Sequence, residues 1–134
     1  MKSQREAGAM RQKLQRKNPE DAYVNAAILH LERLEAGDSR GSNAAHDHLI
    51  KSIRAIRNYD DRGKSFLSGL LSHENENVRL WSASHLLPLQ EKKALDELQY
   101  LTKSAISSIV RSSAEVTSSE WRKGTLNIDW FLKK

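Results

Sequence analysis

The chain has 134 residues, no cysteine and a formal net charge of +5. That length suffices for one domain burying roughly two-thirds of its unfolded surface, and the missing cysteines exclude disulfides and thiolate metal sites. No run of eighteen apolar residues occurs and the basic opening MKSQREAGAMRQKLQRKN leads into no apolar segment, so neither a signal peptide nor a membrane anchor is expected and the protein reads as soluble and cytoplasmic.

Residues 1–17 carry Lys2, Arg5, Arg11, Lys13, Arg16 and Lys17 against Glu6, while the remaining residues hold equal numbers of basic and acidic side chains. The whole excess therefore lies in a basic N-terminal arm, expected as a flexible or frayed helix, ahead of a single helical domain over 18–134. Its bland role is solvation; its functional one is to touch nucleic acid or an acidic partner.

Asn18-Pro19-Glu20-Asp21 signals a helix start: an N-cap oxygen, a proline in the first turn and two carboxylates facing the positive end of the dipole. This helix is expected to run to Ala36 and stop at Gly37, with Tyr23, Val24, Ala27, Leu31 and Leu34 forming its apolar stripe. The polar stretch GDSRGSN reads as a loop before a second helix over 44–57 that buries Leu49, Ile50, Ile53 and Ile56, with His46-Asp47 near its start. After the turn Asn58-Tyr59-Asp60-Asp61, a third helix is expected over 62–72. Asn75 caps a fourth, with Glu76 its first residue, Val78, Ser82 and Leu86 on one face, and Pro88 as its stop. A fifth spans 91–102 on Leu95, Leu98 and Leu101. The serine-rich run from Ser104 to Trp121 has Ile106, Ile109, Val110 and Val116 at helical spacing and is expected to contain a break. Gly124 ends it, and Trp130 and Phe131 of the tail are expected to pack back on the body. Six helices in three antiparallel pairs, over 19–57, 62–87 and 91–123, make the chain all-α, closed either as a bundle or as a short solenoid.

The stretch LLSHENENVRLWSASHLL, residues 70–87, resembles one HEAT-type repeat unit. It joins a helix ending in Leu-Leu, a polar turn and a helix opening Asn-Val-Arg. With His30, Gly37-Asp38, Asn43, His46-Asp47 and the run Glu120 to Leu126, its order is similar to a family of small bacterial HEAT-like domains, over residues 22–126. The resemblance implies a HEAT-like or ARM-like stack of three helical hairpins. Some members look like immunity proteins encoded beside secreted polymorphic or contact-dependent growth-inhibition toxins, which implies a protein partner, a cognate toxin domain, and no catalytic motif.

Chemistry-bearing residues give little else. His46 and His48 stand about 200 degrees apart on a helix and cannot grip one metal, and His30, His73 and His85 lie on different elements. No nucleophile elbow or phosphate loop occurs, so no enzyme activity, metal or cofactor is expected. Tryptophan dominates binding energetics, so the expected partner-binding residues are Trp81, with His85 on the same helix, and Trp121. Asp60, Asp61, Glu74 and Glu76 would form an acidic rim facing a basic nuclease. The expected function is an immunity protein, monomeric or in a 1:1 complex, that occludes a toxin, foremost an RNase. The rivals are a nucleic-acid-binding module that uses the basic arm and a structural adaptor.

Overall fold

A computed structural model describes residues 18–57 and 61–126, with the side chains of Arg57, Asp61 and Arg62 excepted. The basic arm and the expected docking of Trp130 and Phe131 lie outside the described residues. Among the described residues there are six helices and no strand, so the chain is all-α: α1 (Pro19–Glu35), α2 (Ser39–Arg57), α3 (Asp61–Leu70), α4 (Glu76–Leu86), α5 (Glu91–Ser104) and α6 (Ser108–Lys123). The chain divides into two compact units, one holding α1 and α2 and the other α3 to α6. No helix among the described residues is long and apolar enough to cross a membrane.

In the first unit, the Asn18 side chain accepts from the N–H groups of Glu20 and Asp21 at 3.1 and 3.3 Å, satisfying two of the orphan donors at the start of α1. Gly37, at φ 72°, then takes the left-handed stop. The next helix starts earlier than its composition predicts: α2 begins at Ser39, although GDSRGSN has the composition of a loop and the helix is expected from residue 44. Asp38 is the reason. One of its carboxylate oxygens accepts from Gly41 N–H at 2.9 Å and the other from Arg33 at 3.0 Å, so the polar stretch is a capped first helical turn. Gly41 serves this turn by size, since a Cβ there would sit 2.3 Å from the Asp38 carboxylate. His46-Asp47 consequently lies well inside the helix. Ala45, Leu49, Ile53 and Ile56 are buried, whereas Ile50 is only half-buried. The three-residue connection and the rings of His30 and His46, 6.2 Å apart, make the two helices an antiparallel hairpin.

In the second unit, α3 ends at Leu70, two residues early, because the N–H groups of Leu71, Ser72 and His73 bond back three residues and tighten the turn. Asn75 caps α4 as expected, accepting from Asn77 and Val78 N–H at 2.9 and 3.1 Å. Val78, Ser82, Ala83 and Leu86 of α4 are buried, and α4 packs against α3, α5 and α6. The expected break falls at residues 105–107, between α5 and α6. It sets the phase of α6, whose buried stripe is Val110, Ala114 and Ser118, whereas Ile106 is 90% and Val116 54% exposed. The buried Ser118 hydroxyl is satisfied by donating to Ala114 C=O at 2.9 Å. Gly124, at φ 74°, ends the helix as its sequence position required.

Candidate partner-binding surface

The turns entering α4 and α6 share one construction. Arg79 Nη1 donates to the carbonyls of His73 and Glu74 at 2.7 and 3.3 Å, and Arg111 Nη1 donates to those of Ala105 and Ile106 at 2.6 and 3.0 Å. In each case a guanidinium on the first turn reaches back six and five residues and fastens the connection before its own helix. The N-caps match as well: Asn75 and Ser107 each accept from the N–H three residues on. Asn75-x-x-Val78-Arg79 and Ser107-x-x-Val110-Arg111 lie thirty-two residues apart, so this recurrence was present in the sequence but hidden by the serine-rich surroundings of the second copy.

The two turns also touch. The Glu76 carboxylate accepts from the N–H groups of Ile106 and of Ser107, the latter at 3.1 Å, which sets the starts of α4 and α6 side by side. Arg79 Nε lies 3.9 Å from Glu97 on α5, and both side chains are mostly buried. Burial holds the Glu97 carboxyl above its ordinary value, and the charge of Arg79 opposes that rise. Lys93 on α5 donates to Ser68 on α3 at 2.7 Å.

The expected contact residues divide over this frame. Asp60 lies outside the described residues; Asp61 opens α3, and its side chain is likewise outside them. Glu74 is exposed in the turn, while Glu76 is half-buried and its carboxylate is engaged by the neighbouring turn. Trp81 is half-buried with its ring 5.6 Å from that of His85, which is only 3% exposed. Trp121, also half-buried, donates from Nε1 to Glu91 at 2.8 Å. It follows the Glu76-bound turn by fourteen residues, about 20 Å along α6. The structure thus pairs Trp81 with His85 and leaves Trp121 at the far end of another helix. Among the described residues no three His, Asp or Glu side chains are placed to hold a metal ion.

The first unit also carries a cleft that no motif in its sequence announces. A solvent-open cleft of about 580 Å³ runs between α1 and α2, lined by Pro19, Ala22, Ala26 and Leu29 on one side and by Ala45, Ser52 and Ala55 on the other. Their alanine spacing was legible, but small residues on a helix read as ordinary packing. His48 and Lys51 stand in the lining, where Lys51 is the one charged residue among those described. Elsewhere in this hairpin, burial and the neighbouring His46 hold His30 below its ordinary value, and the Gly41 N–H with Arg33 holds Asp38 low. No protein-family model, curated protein or solved structure matches the chain.

Proposed function

We propose that this chain is a stoichiometric protein-binding module built as a HEAT-like stack of helical hairpins, acting as an immunity protein that occludes a cognate toxin domain, foremost an RNase. One observation carries the architectural half of this reading: the arginine-fastened turn that recurs after thirty-two residues, with the two copies joined by Glu76. A repeated supersecondary unit that stacks on its own neighbour is the physical definition of a helical-repeat protein, and such scaffolds present extended surfaces to partners. The immunity role comes from the family resemblance. Glu74 on its turn and the half-buried Trp81 and Trp121 are the proposed contacts in the second unit, with His85 backing Trp81 and Glu76 holding the turn in place.

Occlusion of a lethal enzyme demands affinity of about −12 kcal/mol or tighter. Co-expression with the product of the adjacent upstream gene tests the reading: rescued growth and co-purification at a 1:1 ratio are expected. A neighbour that is neither toxic nor bound removes its footing. The nucleic-acid reading is supported by the confinement of the net positive charge to residues 1–17. It requires nucleic-acid binding that falls steeply with salt and disappears when those residues are deleted.

A further inference from the structure

The hairpin of α3 with α4 recurs as α5 with α6. Gly63, Leu67 and Leu70 of α3 and Ala94, Leu98 and Leu101 of α5 are buried in pairs thirty-one residues apart. Beyond the turns, Val78, Ser82 and Leu86 of α4 correspond to Val110, Ala114 and Ser118 of α6, thirty-two residues on and likewise buried. The first copy has a side on which the second rests. Glu76 and Arg79 reach from it to the turn before α6 and to Glu97 of α5, and Leu80, Ala83 and Leu87, all buried, follow on the same helical face. In the second copy the corresponding positions are Ser108, Arg111, Ser112, Glu115 and Ser119, of which Ser108, Ser112 and Glu115 are exposed and Arg111 and Ser119 half-buried. The carboxylate that clasps the next turn has become a serine, and three apolar contacts have become two serines and a charge. Ile106 and Val116 are exposed in this copy, but they stand where the first copy has Glu74 and Ser84, which are polar and not buried there either.

Resting on the repeat architecture proposed above, we infer that the side of α6 bearing Ser112, Glu115 and Ser119 is a capping face: it closes the stack of hairpins there and keeps a second copy of this chain from stacking on it. A repeat unit buries an apolar flank only against a neighbour, so an apolar flank on the last unit of a stack recruits one, whereas a polar flank stays with water. Burying the Glu115 carboxylate against an apolar neighbour would cost more than such a contact contributes.

The test uses the full chain. Ser112→Leu with Glu115→Ala, at two exposed positions, rebuilds most of the α4 flank on α6. The wild-type chain is expected to sediment as a monomer up to about 100 μM, and the double variant to self-associate at least about tenfold more tightly, with its urea midpoint not lowered. Leu80→Ala, on the flank that carries the second copy, is expected to lower the urea midpoint by about 1 M; should it not fold, Leu87→Ala reads the same contact. A double variant that stays monomeric, or that loses as much midpoint as Leu80→Ala, overturns the capping face and leaves the repeat reading standing. So does a wild-type dimer that Glu115→Arg dissociates. If Leu80→Ala and Leu87→Ala are both without effect, the second copy does not rest on the first, and the repeat reading falls together with the cap.

Discussion

Gly41 and Asp38 show how one residue's missing side chain decides a helix boundary. Alanine is better than glycine inside a helix by about 1 kcal/mol, yet at position 41 its Cβ would strike the Asp38 carboxylate and Arg33. Gly41→Ala is therefore expected to leave stability unchanged or to lower it by up to about 1 kcal/mol, because the lost cap cancels or outweighs the gain in propensity. In an Asp38→Ala background the same change should become stabilising by up to about 1 kcal/mol, a difference that a double-mutant cycle read by urea denaturation would detect. At the entries to α4 and α6 the relevant side chains are Arg79 and Arg111, each satisfying two loop carbonyls. Arg79→Met and Arg111→Met keep the aliphatic stem and remove the donors, and each should cost about 1–3 kcal/mol. Glu76→Ala frees the two N–H groups at the start of α6 and should cost about 1–2 kcal/mol; if it costs nothing in chemical denaturation, the carboxylate is not fastening the turns together.

Between elements, two titrating groups pull stability in opposite directions. His30, where α1 meets α2, has its value lowered from 6.5 by burial and by His46, so the folded state holds fewer protons than the unfolded one just below that pH. Its contribution is intact above pH 6.5 and is lost as pH falls from there toward the lowered value. Glu97 on α5 has its value raised from 4.5 by burial, so the folded state holds more protons, and stability falls as pH rises from 4.5 through the raised value. Urea midpoints measured across pH 4 to 8 should lose their acid-side fall near 6.5 in His30→Gln and their fall above 4.5 in Glu97→Gln. At this scale the sequence was legible where a single local signal decides, as at Asn18, Asn75, Pro88 and the two left-handed glycines. It was misleading where two local signals competed. GDSRGSN has loop composition, but one carboxylate with two partners makes it helical. In α6 the isoleucines and valines suggested one stripe, but a start at Ser108 turned Val110, Ala114 and Ser118 inward.

For the molecule as a whole, the even charge of residues 18–134 against the basic first seventeen separates the two functional readings. Deleting residues 1–17 is expected to leave partner binding and protection unchanged in a growth-rescue assay; loss of protection would favour the nucleic-acid reading. By itself the sequence determined the all-α class, the six helices of the described residues and most of their caps, because these depend on contacts within four residues, where side-chain oxygens meet orphan N–H groups and apolar spacing sets a face. It held the thirty-two-residue recurrence in Val-Arg pairs too sparse to stand out. Only the tertiary structure decided that Arg79 and Arg111 fasten equivalent turns, that Glu76 reaches thirty residues along the chain to hold the second, and that scattered alanines of two helices line one cleft. Those facts rest on which surfaces meet across the hairpins, and hydrophobic burial, being non-directional, selects a face without naming its neighbour.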